Sequence, residues 1–377
     1  MVKLPSAWQN AHVQSLPTPL LLALLVGCAT PAAPSPTASA AQTKTTNAAA
    51  PPDPGRSGSA PFAFEAVALP GATAPAALDY LAFEPGRARV WVPVGTTGSV
   101  DVFDIKSAAF DRIDGFRTAQ REFKGRTRTI GPSAVTIGDG AAYIGNRATS
   151  EICPVDTASL KLGTCTALAT PTDGVAYVST AKEVWVTTPR DRSIVVLSVT
   201  EPLAPKPKTT IHFDGAPEGY AVDPTRGLFY TNLEDKNRTV VIDIARHMPI
   251  AVLDVPCGQD GPRGVAVDAD EGGLVFVACT DRVLVLDGLH NGAPLGAVES
   301  GAGVDNIDWL PSRHLLYIAA GKAATVTVVR VEHSGQVTPV AVGASVEGAR
   351  NGVVDDGGNA YVADPVNARL LVFAAPK

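Results

Sequence analysis

This chain repeats itself, and that constrains its fold more than any other feature. The segment "PRGVAVDADEGGLVFVAC" from Pro262 follows "PEGYAVDPTRGLFYTN" from Pro217 at a spacing of about 45 residues, and "TDGVAYVSTAKEVWVTT" from Thr172 precedes both at the same spacing. The template recurs downstream as "VDNIDWLPSRHLLYIAA" from Val304 and "ARNGVVDDGGNAYVAD" from Ala349. Upstream it recurs as "LDYLAFEPGRARVWVP" from Leu78 and "SAVTIGDGAAYIGN" from Ser133, which makes seven units. Each unit holds four short apolar runs, such as "GVAVD", "GLVFVA", "RVLVLD" and "PIAVLDVP", separated by Gly, Pro, Asp and Asn. Runs of this length with this punctuation are short strands.

Four strands per unit at this period predict an all-β fold, a seven-bladed β-propeller. The 35 Gly, 31 Pro and only 18% charged residues agree, being rich in turns and poor in long-helix content. A single blade leaves half its apolar surface bare, so the units must close into a ring. The last unit reaches Lys377 after three strands, ending in "RLLVFAAPK". The alternating stretch "FAFEAVALP", Phe62–Pro70, is expected to supply its fourth strand and so remove two free edges.

"LFYTNLEDKNRTVVIDI" resembles the YVTN-type propeller repeat, in which an apolar strand ends in Thr-Asn and a turn leads into "VVID". "NAYVADPVNARLLVF", Asn359–Phe373, is similar to the related NHL repeat. The resemblance runs over residues 62–377, strong in units four, five and seven and weak in the second. It implies a fold and says little about activity, because such repeats host many functions.

Ahead of the repeats, "TPLLLALLVG" is an apolar run too short to span a bilayer and reads as the core of a secretory signal, residues 1–27. "LVGC", Leu25–Cys28, resembles the bacterial lipobox, which implies lipidation of Cys28 and anchoring in a membrane of the cell envelope. Ala29 after the Cys points by the same resemblance to the outer membrane. The leader before the apolar run is long, with Lys3 as its clear cation, so a start further downstream stays open. Residues 28–60 are Ala, Pro, Ser and Thr without periodicity, a tether, and 61–377 are the propeller domain.

An envelope location permits disulfides. Cys153 and Cys165 flank a turn of the second unit, and Cys257 and Cys279 end strands of neighbouring units on one face, so the expected pairs are Cys153–Cys165 and Cys257–Cys279. The spacings are not those of a zinc or redox site.

Ligands of a propeller gather at the mouth of its channel, where the inner strands begin. Those positions hold Asp173, Glu218, Arg263, Asp305 with Asn306, and Arg350 with Asn351, a convergence of polar groups that makes a ligand-binding mouth. A second basic feature lies in "DRIDGFRTAQREFKGRTRTIGP", Asp111–Pro132, which lengthens the first unit and carries Arg117, Arg121, Lys124, Arg126 and Arg128, with Phe116 and Phe123 as apolar anchors. The formal net charge of −6 argues against a nucleic-acid partner. The expected partner is an envelope protein or an anionic glycan or lipid headgroup, bound by a monomeric, lipid-anchored module. No cofactor motif or catalytic constellation is present, and the six His are scattered without H-x-x-x-H spacing. The alternative is a metal-dependent lactonase-like hydrolase, because Glu218, Asn306 and Asn351 are similar to part of the cation set of gluconolactonase-like propellers. Arg263 and Arg350 in the same ring count against that cation.

Overall fold

A computed structural model describes residues 62–377 apart from Lys124 and Glu271. The signal peptide, Cys28 and the tether expected from the sequence lie outside the described residues.

The described chain forms seven four-stranded antiparallel sheets and one two-stranded hairpin. The inner strands of blades one to seven are Ala82–Glu84, Pro132–Gly138, Val175–Val178, Pro217–Asp223, Val265–Val267, Val304–Leu310 and Gly352–Val354. Blades one to six each run inner to outer in chain order. The seventh is completed by Phe64–Ala68, which pairs with Arg369–Phe373 from Phe64↔Phe373 to Ala68↔Arg369. The ring is therefore closed by strands from the two ends of the described chain, as the sequence requires.

Burial explains the strand patterns. Second strands such as Glu183–Thr188 and Leu315–Ala320 are buried along their whole length, because each is covered by a neighbouring blade on both faces. Outer strands such as Met248–Asp254 alternate near the rim and leave Ile250 and Val252 exposed. The apolar core is divided into seven clusters, one at each blade interface. Trp91, Val100 and Val102 of blade one meet Ile144 and Val155 of blade two. Val90 and Val92 of blade one meet Tyr361 and Leu370 of blade seven. At the interface of blades three and four, Trp185 lies on Phe229 with ring centroids 4.6 Å apart.

The repeated motif residues hold turns and joints. The Asp that ends the third strand caps the next turn: Asp104, Asp156, Asp243 and Asp287 accept the backbone N–H three residues on, at 2.7–3.1 Å. Each turn then passes through a left-handed residue, for example His247 at φ 53°. Asn232, the Asn of "YTN", donates from Nδ2 to the carbonyls of Arg263 and Gly264 at 2.7 and 3.0 Å, and so joins blade four to blade five. In "YVADPVNAR", Asp364 is fully buried and accepts from Asn367 and from both Nε and Nη2 of Arg369.

Both disulfides form. Cys153–Cys165 ties the third strand of blade two to an outer strand of only two residues, Thr166–Ala167, so the covalent link supplements a short ladder. Cys257–Cys279 joins the chain leaving the outer strand of blade four to the end of the second strand of blade five.

Two outcomes test this construction. A chain beginning at Leu69 uncovers the edge of Arg369–Phe373, and it is expected to aggregate or to lose its single cooperative thermal transition, while a chain beginning at Phe62 keeps it. Replacing both Cys257 and Cys279 by Ser frees a link across 22 residues and is expected to cost about 3 kcal/mol, read as a lower denaturation midpoint than that of the oxidised wild type.

Candidate functional site

The seven inner strands begin at one end of the ring. Placed in register, their opening residues are Asp79, Ser133, Asp173, Glu218, Arg263, Asp305 and Arg350, followed by Tyr80, Ala134, Gly174, Gly219, Gly264, Asn306 and Asn351. Neighbouring inner strands touch here through their backbones: Tyr80 N–H donates to Ser133 O at 3.0 Å and Gly264 N–H to Asp305 O at 2.6 Å. The small second residues permit this approach. A Cβ on Gly219 would sit 2.3 Å from the carbonyl oxygen of Arg263, too close for any side chain.

On this frame the charged side chains bridge blades. Arg147, from the end of the second strand of blade two, reaches Asp79 of blade one at 3.0 Å and also pairs with Asp173 of blade three. Arg263 of blade five holds Glu218 of blade four at 2.9 Å and pairs with Glu234 as well. Arg350 of blade seven meets Asp305 of blade six at 3.2 Å. Asn351 closes the circuit by donating from Nδ2 to Asp79 Oδ1 at 2.8 Å. The structure therefore brings together Asp173, Glu218, Arg263, Asp305, Arg350 and Asn351, as the repeat register predicts.

It also brings in residues the sequence reading missed. Asp79 could have been found, because "LDY" occupies the same register as "TDG" and "PEG". Arg147 and Glu234 sit in turns beyond second strands, where the repeat imposes no residue type. With them the mouth holds five carboxylates (Asp79, Asp173, Glu218, Glu234, Asp305) against three guanidiniums (Arg147, Arg263, Arg350). The signs do not alternate into balance; the site is acidic in excess. Burial first, then the neighbouring carboxylates, raises Glu218 well above the usual range, with Glu234 as its nearest acidic neighbour. Burial likewise raises Asp305, and it raises Asp173 to about 6.

Tyr80 stands inside this ring. It is 8% exposed, and burial together with Asp173, Glu218, Asp305 and Asp79 raises its hydroxyl pKa. Its ring lies 5.8 Å from that of Tyr220, whose hydroxyl donates to Val175 O at 2.6 Å. The Oδ1 of Asn351 is buried without a hydrogen-bond partner among the described residues.

These placements do not fit a divalent cation on Glu218, Asn306 and Asn351. Glu218 contacts a guanidinium and favours its protonated form. Asn351 turns its amide nitrogen to Asp79, and Asn306 lies beside Gly264, at the border of a cavity of about 20 Å³ between blades six and seven. Among the described residues, the grouping with metal-ligand spacing is Glu151 with Cys153 and Cys165, whose sulfurs are joined to each other.

The basic insertion is a β-hairpin, Ala119–Phe123 with Arg126–Ile130, rather than an irregular loop. Alternating Arg and Thr around Gly125 suit strand pairing and a left-handed turn, with Gly125 at φ 72°. The hairpin rises from the mouth end of the ring, where Asn146 Nδ2 donates to Arg117 O and Arg117 pairs with Glu151 at 3.0 Å. Phe116 is not an exposed anchor: it is buried in the interface of blades one and two, whereas Phe123 is 53% exposed. Lys124 lies outside the described residues.

No protein-family model matches the chain, and no curated protein matches it. Solved structures do. A chain in "Crystal Structure of Mitotic Checkpoint Complex" aligns at TM-score 0.68 and 15% identity over 90% of this chain and 99% of that one. A chain of Kuenenia stuttgartiensis hydrazine synthase aligns at TM-score 0.68 and 13% identity, over 81% and 99%. The structure of U3-55K aligns at TM-score 0.67 and 12% identity, over 83% and 98%. At these identities the likeness is one of fold alone.

A titration tests the mouth. A carboxyl whose folded pKa is raised stabilises the fold below its unfolded pKa, and that stability is lost as pH rises through the folded value. Wild-type stability is thus expected to fall at this site between about pH 4 and pH 7 as Asp173 ionises. Asp173→Asn should flatten that slope by about 2 kcal/mol, measured by denaturation at each pH. The side chain keeps 21% of its surface exposed, which holds the effect to that order.

Proposed function

We propose that this propeller is a binding or scaffolding module of the bacterial envelope, anchored through lipidated Cys28 at the outer membrane and engaging its partner with the mouth face. The observation that carries the reading is the mouth itself: eight charged groups held in cross-blade pairs around Tyr80, with more carboxylates than guanidiniums. A purely structural rim needs no net charge. Carboxylates crowded and partly desolvated in this way, with pKa values pushed upward, gain from pairing with an incoming cationic group. At the mouth this favours an envelope protein presenting Lys or Arg over an anionic glycan or headgroup.

The described chain enters at Phe62, and Phe64 pairs with Phe373, at the end of the ring opposite the mouth. The turn-capping Asp residues and the Asp364–Asn367–Arg369 network support a repeat of the YVTN and NHL type.

The reading is tested by in-cell crosslinking and affinity purification of the intact chain beside a variant with Glu218→Gln, Arg263→Gln and Asp305→Asn. A specific envelope protein captured by the wild type and lost by a folded variant is the expected result. Retention by the variant, or capture of nothing, overturns use of the mouth. Separately, Cys28→Ala is expected to abolish metabolic labelling with a fatty acid and to release the protein from the membrane fraction.

A further inference from the structure

The hairpin of blade one carries a surface of the opposite charge, one that stands whether or not the mouth is used. Its strands pair only with each other, so both outer edges present unpaired backbone N–H and C=O groups. Pairing sets Arg121 opposite Arg128 and Phe123 opposite Arg126. Side chains alternate along a strand, so these four share one face, and Gln120, Glu122, Thr127 and Thr129 share the other. The second face is self-satisfied in part, with Gln120 Nε2 donating to Thr129 Oγ1 at 2.9 Å.

The first face is not balanced. Like charges directly opposite across a ladder repel. Among the described residues none of Arg121, Arg126 and Arg128 has an ion-pair partner, and all three are exposed. Arg128 lies over the Phe123 ring, 5.4 Å from its centroid, which holds a guanidinium and an apolar ring together. The base is fixed by contrast: Phe116 is buried and Arg117 is spent on Glu151. A firmly based ribbon thus projects three cations that have no ion-pair partner among the described residues of an acidic protein.

We propose that this ribbon docks an acidic extended peptide of a partner protein as a third strand, with the partner's carboxylates over Arg121, Arg126 and Arg128. An added strand satisfies an open edge, and every second side chain of it falls on the arginine face. A glycan or a lipid surface would use the charge and leave the edge unmet. A second copy of the hairpin is excluded by the same guanidiniums, whose repulsion deters self-pairing while selecting an acidic strand.

The test is fluorescence anisotropy on the whole chain with a labelled peptide of alternating Glu and Thr. Saturable binding is expected at low salt, at least about tenfold weaker at about 0.5 M salt, where exposed charges are screened. A variant with Arg121→Glu and Arg128→Glu is expected to bind at least about tenfold less tightly. So is the wild type with the same peptide N-methylated at alternate residues, which keeps its charge and loses its strand hydrogen bonds. Circular dichroism checks that the variant is folded. A second variant with residues 119–129 replaced by a short Gly-Ser turn removes the surface and should abolish binding. Equal affinity for the N-methylated peptide overturns strand addition. Binding of heparin or phosphatidylglycerol vesicles without binding of the peptide assigns the face to another class of partner and overturns the proposal.

Discussion

Every part of this molecule depends on the pairing of Phe64–Ala68 with Arg369–Phe373. A blade is a small twisted sheet that is apolar on both faces, and neither face can be buried within the blade. The seven apolar clusters lie between blades, and the one joining blade seven to blade one exists only when the ring is shut. Five backbone pairs between strands from the two ends of the described chain therefore secure contacts throughout the circle. The long sequence separation makes this closure entropically demanding, while Cys153–Cys165 backs the two-residue outer strand of blade two and Cys257–Cys279 ties blade four to blade five.

Ring closure also makes the mouth what it is. Inner strands converge until backbones of adjacent blades hydrogen-bond, and this leaves room for glycine at Gly174, Gly219 and Gly264. Bulk enters at Tyr80, from the first blade, and amides enter at Asn306 and Asn351. Charges that would be ordinary surface residues on a flat sheet are pressed together and partly desolvated. The upward push on the pKa values of Asp173 and Glu218 follows from that crowding. The hairpin escapes it. Standing off the same end, it keeps its arginines in water and unneutralised, so one face of the propeller carries an acidic centre beside a basic outgrowth.

Much of this architecture was legible from residues alone. The spacing of about 45 residues and four apolar runs per unit carried the blade count, because each unit must present the same faces to its neighbours. The alternation in "FAFEAVALP" showed that it was a strand in search of an edge. Cys153 and Cys165 flanking a turn, and Cys257 and Cys279 at strand ends of neighbouring units, implied both bridges. The opening residues of five units were correctly placed at the mouth because register along a repeat is a local property. Asp79 was within reach by the same register. Arg147 and Glu234 were not, since they come from turns that the repeat leaves free. Phe116 and Phe123 looked alike in the sequence, yet one is core and the other is solvent-facing, a difference set by which of them the neighbouring blade covers.

What the sequence determined by itself was therefore the unit: strand type, turn chemistry, repeat number and the residues that start each inner strand. These are properties of short segments, written in alternation, punctuation and period. Tertiary structure alone decided how charges pair across blades, which carboxylates have raised pKa values, and that the basic insertion forms a ribbon with one arginine face. Those outcomes depend on distances between residues far apart in the chain, and such distances exist only once the ring has closed.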